Sequence, residues 1–111
     1  MNIGKEEIIC INQNFKGSLR NDSSLDYSLE VQKSKKIGKY KKLAYLIRAI
    51  LVDHPFSDGN KRTATYLILE FARQLNKSIA NDLLESQIIS IAKNNVTDIR
   101  NLERRLKNVI R

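Results

Sequence analysis

Along the chain, apolar residues return at helical spacing and almost never alternate. Ile8, Ile11 and Phe15 predict a first helix over Ile3–Phe15, with Glu6 and Glu7 near its start, where the helix dipole favours negative charge. Gly17 ends it, and Ser18 to Ser28 is polar and turn-rich. A short helix is expected over Leu25–Gln32, with Leu25, Leu29 and Val31 facing inward. Leu43, Ile47 and Ile50, widened by Leu46 and Leu51, mark a core helix over Tyr40–Asp53. Ala64, Leu67, Ile68, Phe71 and Leu75 mark a second over Asn60–Leu75. After a break at Asn76–Ala80, Asp82 and Glu85 read as a capping pair for a helix through Ile88, Ile89 and Ala92. Asn94 and Asn95 interrupt that pattern, and Thr97 is expected to cap a last helix carrying Ile99, Leu102, Leu106 and Val109. No stretch alternates long enough for a strand. The expected fold is all-α, a compact bundle of about six helices, with residues 1–111 forming one domain.

The two core helices meet at His54-Pro55-Phe56-Ser57-Asp58-Gly59-Asn60-Lys61-Arg62, which holds the only histidine and the only proline. A proline disfavours helical geometry in the residue before it, so the first core helix should end near Asp53 with His54 extended. Gly59 can take a positive φ before the next helix begins. Asn60 is a good N-cap, placing Lys61, Arg62 and Thr63 in the first turn. Cations oppose the dipole at a helix start, whereas free N–H groups there attract anions. Lys61 and Arg62 in that position therefore point to an anionic ligand, and phosphate is the first candidate.

Composition narrows the setting. The formal net charge of +8 and pI near 9.8 imply an acidic partner, whether nucleotide, nucleic acid or protein. Lys33 to Lys42 carries six lysines, read as a solvated face close enough to the central helix to leave room for partner or nucleotide contact. The single cysteine, Cys10, excludes an internal disulfide framework, fits a reducing compartment and is expected to be a buried structural thiol. There is no signal pattern, and no apolar run approaches the roughly 18 residues of a membrane span, so a cytoplasmic location without membrane contact is expected.

The run from His54 through Ala64 resembles the motif of the Fic/Doc family. The wider family pattern is His-x-Phe-x-Asp/Glu-Gly-Asn-Gly-Arg-x-x-Arg. This chain follows it from His54 to Asn60, then has Lys61 in place of the second glycine and Thr65 in place of the second arginine. The Asn-Lys-Arg-Thr-Ala form is similar to that of the Doc (death-on-curing) toxins, and the helix order resembles theirs over essentially the whole chain.

The resemblance implies a Fic/Doc-like bundle with the motif in a helix–loop–helix junction. It also implies an enzyme that transfers part of a nucleotide to a protein hydroxyl. Doc-like members act as minimal kinases, moving the γ-phosphate of ATP to a threonine of elongation factor Tu and stalling translation, while many Fic members transfer AMP. In those terms His54 is the general base, since an imidazole is largely neutral at physiological pH. Asp58 holds Mg²⁺. Gly59, Asn60, Lys61 and Arg62 form the phosphate cradle, with Lys61 and Arg62 stabilising charge on the transferring group, and Phe56 anchors the loop in the core. A separate antitoxin chain is the expected inhibitor, because no glutamate has a Ser or Thr four residues before it, as built-in inhibitory helices require.

Two other readings use other features. Arg48 and His54 are spaced Arg-x₅-His, as in helical HEPN-type ribonucleases, but that leaves Asp58 to Arg62 without a role. A non-catalytic nucleic-acid-binding module would use the positive charge, yet the chain has no tryptophan for base stacking and no clear helix-turn-helix.

Overall fold

The computed structural model describes all residues, 1–111, as six helices. They are α1 (Lys5–Gln13), α2 (Ser23–Gln32), α3 (Lys39–Leu51), α4 (Asn60–Gln74), α5 (Asn81–Asn94) and α6 (Ile99–Val109). The only β-type pairings are isolated bridges, Leu19 with Phe56 and Ile79 with Ile110. The all-α bundle expected from periodicity is the observed fold.

The bundle is built around α3, which packs against α2, α4, α5 and α6. Leu43, Leu46, Ile47, Ile50 and Leu51 are all within 1% of complete burial, so this helix is apolar over far more than one stripe. Such a helix needs neighbours on several sides. Leu67, Ile68 and Phe71 of α4 and Leu102, Leu106 and Val109 of α6 join it in one core cluster of 21 buried residues. Tyr40 stacks edge-on against Phe71 with ring centroids 5.1 Å apart, closing the core at the start of α3. Arg48 donates to the Thr97 carbonyl while Lys107 lies over the Tyr40 ring, so α6 runs antiparallel to α3. The last residues pair with the α4–α5 connection through Ala80 N–H to Val109 O and Arg111 N–H to Ser78 O.

The observed helix ends depart from the expected ones for identifiable reasons. α1 is shorter than Ile3–Phe15: Gly4 N–H is covered by the Glu7 carboxylate, and past Gln13 the chain turns through Lys16 at φ 64°. Its buried positions are Ile8 and Asn12, with Ile11 and Phe15 only partly covered. Cys10 is exposed rather than buried. It lies two residues from both Ile8 and Asn12, about 200° around the helix from each and thus on the opposite face. In α2, Ser28 takes an inward position, its hydroxyl satisfied by the Leu25 carbonyl at 2.7 Å. The Asp82–Glu85 capping pair does not form; Ala80 is the N-cap of α5, without a side-chain cap. The α6 cap is Asp98 and not Thr97, its carboxylate accepting from Asn101 N–H at 3.0 Å. A carboxylate at that position also meets the positive end of the dipole. Asn95 ends α5 at φ 48°, in the left-handed conformation that asparagine tolerates.

Lys5 bonds both Asp22 and Asp26 at 2.9 Å, tying the start of α1 to α2. Between α2 and α3, the Gln32 side-chain amide donates to the carbonyls of Ser28 and Lys42. These ties leave the segment between α1 and α2 stretched along the loop between α3 and α4, where Phe56 is only 2% exposed. Phe56→Ala should cost about 3–5 kcal/mol of unfolding free energy, the range for losing a buried aromatic ring. Urea denaturation checks this, and a loss below about 1 kcal/mol would show that the ring does not hold the loop to the core.

Candidate active site

α3 ends at Leu51 and α4 begins at Asn60, and the intervening loop turns back on itself. His54 is not extended: its φ is 49°, in the left-handed region. Pro55 does exclude the right-handed helix from the preceding residue, but contacts further along choose between the alternatives. Pro55 and Phe56 are buried, and the Pro55 carbonyl accepts from Arg20 N–H at 2.8 Å and Asn21 N–H at 3.2 Å. Ser57 N–H donates to the Ser18 carbonyl, and the Ser57 hydroxyl accepts from Ser18 N–H. With 55–57 laid along 18–21, the chain reaches Pro55 from α3 only by a sharp reversal at His54. That reversal leaves the imidazole exposed.

The next turn is held from beneath. Asn12, completely buried on α1, donates through Nδ2 to the Asp58 carbonyl at 2.8 Å and to the Thr63 hydroxyl at 3.1 Å. Its Oδ1 has no partner. The backbone crowds around this amide. A Cβ on Gly17 would lie 2.3 Å from Asn12 Oδ1 and 2.2 Å from the Asp58 carbonyl oxygen. A Cβ on Gly59, which sits at φ 73°, would lie 2.8 Å from Phe15 Cβ. Gly59 therefore takes the expected positive φ, and it must also be small. Asn12 escapes a sequence reading because an asparagine in an amphipathic helix is ordinarily assigned to the wet face. The available signal was its spacing, four residues after Ile8.

Asn60 is the first residue of α4, and Gly59 is its N-cap. The Asn60 amide folds back on the loop instead, accepting from Phe56 N–H at 3.2 Å and donating to the Phe56 carbonyl at 2.9 Å. No side chain caps this helix. The N–H groups of Asn60, Lys61 and Arg62 have no acceptor within the helix, as in any first turn. Gly59 N–H meets the Asp58 carboxylate at 2.7 Å. Asp58, Lys61 and Arg62 are exposed, and neither cation is in an ion pair.

His54, Ser57, Asp58, Gly59, Asn60, Lys61 and Arg62 together line one cleft of about 310 Å³, with no apolar residue among them. An uncapped helix start carrying two unpaired cations, with a histidine and a carboxylate at its edge, has the chemistry to hold an anion such as phosphate. Asp58 fits a small hard cation, because it is an exposed carboxylate facing the cleft with only one oxygen used by Gly59 N–H. No group of three or more acidic, His or Cys side chains gathers there. Such an ion would complete its shell with phosphate oxygens and water.

Two sequence features are not drawn into the cleft. Arg48 lies over the Tyr45 ring at 5.1 Å and lines a separate small pocket with Asp53, which the arginine–histidine ribonuclease reading does not accommodate. The lysines between Lys33 and Lys42 lie before and along the start of α3, at the end of that helix away from the loop, and none of them lines the cleft.

The Fic/DOC family model matches residues 6–72, from α1 through most of α4, and the chain belongs to that family. Comparison with curated proteins and with solved structures finds no match. Members of the family modify proteins by nucleotide-dependent transfer, generally with ATP and often with Mg²⁺, and the chain is a transferase acting on nucleotide substrates. No helix is long and apolar enough to cross a membrane.

Asn12→Ala would leave the part-buried Asp58 carbonyl without its donor and should lower stability by about 1–3 kcal/mol. Amide exchange at Gly59 should accelerate with it. Unchanged urea midpoint and exchange rate in the variant would show that the loop is held by other contacts.

Proposed function

We propose that the protein is a Doc-like kinase that transfers the γ-phosphate of ATP to a serine or threonine hydroxyl of a target protein and thereby inhibits translation. Elongation factor Tu is the target that the resemblance suggests. The observation carrying this reading is the uncapped start of α4, whose free N–H groups, Lys61 and Arg62 lie in one cleft with His54. In the transfer, the target hydroxyl oxygen forms the new bond to γ-phosphorus. The bond from γ-phosphorus to the bridging oxygen breaks, and ADP leaves. The hydroxyl proton passes to a His54 ring nitrogen.

Negative charge on the γ-phosphoryl oxygens and the leaving oxygen falls opposite Lys61, Arg62 and the first-turn N–H groups. One well-placed donor of this kind is worth roughly 3–4 kcal/mol of transition-state stabilisation. Mg²⁺ held by Asp58 would add charge neutralisation on the phosphate oxygens. Lys61 supports phosphate over AMP transfer, because its side chain occupies the position where the wider pattern has only glycine. Inhibition would come from a separate antitoxin chain.

ATP labelled on either the γ- or the α-phosphate distinguishes the reactions. Label should reach the target from γ-labelled ATP only, and labelling only from the α-position would establish AMP transfer instead. His54→Ala should reduce transfer by about 10²–10⁴-fold while the unfolding midpoint stays unchanged, because an exposed loop imidazole does not support the core. Near-native transfer by that variant would remove the histidine from the chemistry. Asp58→Asn should raise the magnesium concentration needed for half-maximal turnover; an identical magnesium dependence would give Asp58 another role.

A further inference from the structure

Two segments far apart in sequence are almost free of acidic residues, and the fold sets them side by side. Residues 31–52 and 99–111 together hold 12 of the 20 lysines and arginines but only one of the 12 acidic residues, Glu103. The first segment contains α3 and the second contains α6, and the two helices pack antiparallel. They meet at Tyr40, whose ring lies under Lys107 Nζ at 5.7 Å. Lys35, Lys36 and Lys39 stand exposed just before Tyr40 in the chain. Along α6, Arg100, Arg104 and Lys107 fall at i, i+4 and i+7, on one face of the helix and spanning about 10 Å. Arg111 follows, exposed, its side chain folded onto the Asn108 carbonyl.

These charges have little to neutralise them. None of Lys35, Lys36, Lys39, Arg100, Arg104 and Arg111 is in an ion pair, and Lys107 has only Glu103, at 3.5 Å. Arg105 and Arg48 of the same segments are engaged elsewhere, the first by Asn101, Gln87 and Ser90 and the second by the Tyr45 ring. Like charges gathered in this way repel one another and disfavour the compact chain by itself. The nearby Met1 amine feels the crowding: burial first, then Lys42 and Lys39, hold it below its ordinary value.

We propose that this face binds the sugar–phosphate backbone of double-helical nucleic acid, without regard to base sequence. A protein interface is built on an apolar core with aromatic anchors. None of the four large apolar side chains that are substantially exposed lies in either segment. Nucleic-acid interfaces are more polar and far more positive, and backbone phosphates require only well-placed cations. Single strands are held by stacking bases on aromatic rings. Tyr40, at the centre of this face, packs edge-on against Phe71 and lies under Lys107, so it offers no stacking platform. None of the cations of this face lines the cleft, so duplex binding and phosphate transfer are separable by mutation.

Fluorescence anisotropy with a short RNA duplex, the DNA duplex of the same sequence and an RNA duplex of scrambled sequence tests the assignment. Affinity should be alike for the two RNA sequences and fall roughly 10²-fold between about 50 and 200 mM salt, as for about four neutralised phosphates. A preference between RNA and DNA supports the assignment and identifies the helical form that the face fits. Lys36→Gln/Lys39→Gln/Arg104→Gln should keep the thermal unfolding midpoint and lower the slope of log K against log salt by about two to three, at ~0.9 for each lost contact. Should that midpoint fall, Lys35→Gln/Arg100→Gln reads the same effect, a slope lowered by nearly ~2. Lys61→Gln should leave duplex affinity unchanged, because that lysine belongs to the cleft. Wild-type protein that binds no duplex at the lower salt, or variants of the face that keep the full slope, would overturn the proposal. So would a marked preference for one RNA sequence, or a loss in Lys61→Gln as large as in the triple variant. Polyglutamate displacing the duplex at equal concentration of charge would assign the face to an acidic protein instead.

Discussion

The hydrogen bond from the buried Asn12 amide to the Asp58 carbonyl is the contact on which the site's geometry depends. It joins α1 to the loop between α3 and α4 at a point where no regular structure could do so. The same nitrogen reaches Thr63 in the first turn of α4, so a single side chain fixes both the end of the loop and the start of the helix. Burying an amide with Oδ1 unpartnered costs free energy that an apolar residue would not. The cost is tolerable because the alternative is worse: an Asp58 carbonyl pressed against Gly17 with no donor at all. Asn60 repeats the strategy one turn on, giving its amide to Phe56 instead of to solvent. Two asparagines thus add to the pairing of 55–57 with 18–21 in holding the loop.

With the loop fixed, the start of α4 becomes a charged surface with no internal partner. A helix start ordinarily recruits Ser, Thr, Asp or Asn as a cap and acidic residues in its first turn. Here the cap is a glycine, the first-turn side chains are Lys61 and Arg62, and Asp58 covers only the Gly59 N–H. Cations in the first turn and N–H groups without a side-chain cap are unfavourable for an isolated helix, and an anion bound there would relieve both. Deep burial of the apolar side of α4, with Ala64, Leu67, Ile68 and Phe71 in the core, supplies the stability that the uncapped end gives up. Natural sequences depart from local rules most often where function requires it.

This division explains what could be read from the sequence. The helices were legible because their faces are set by period: Leu43, Ile47 and Ile50 fall where packing against several neighbours requires them. The motif was legible because proline, glycine and two adjacent cations have few shared uses. What could not be read were contacts decided by residues distant in sequence. Asn12 is buried because the Asp58 carbonyl lies above it, 46 residues away. His54 is left-handed because 55–57 are held against 18–21, a pairing with no local signal. Thr97 and Asp98 are both good caps, and only the fold decides which one meets Asn101 N–H.

The distribution of charge also separates two roles that net charge alone merges. Positive groups around the start of α3 crowd one another: burial, then Lys42 and Lys39, lower the pKa of the nearby Met1 amine. That cluster lies at the other end of α3 from the cleft and acts on a group bound beside the loop through a screened field, with a Debye length of about 8 Å at physiological salt. Lys61 and Arg62 differ in kind, because they line the cleft beside the uncapped first-turn N–H groups of α4. Their charge therefore acts at contact distance on whatever the loop presents beside His54. An apolar groove between α4 and α5 shares those same two residues, so the cations stand where a polar and an apolar surface meet.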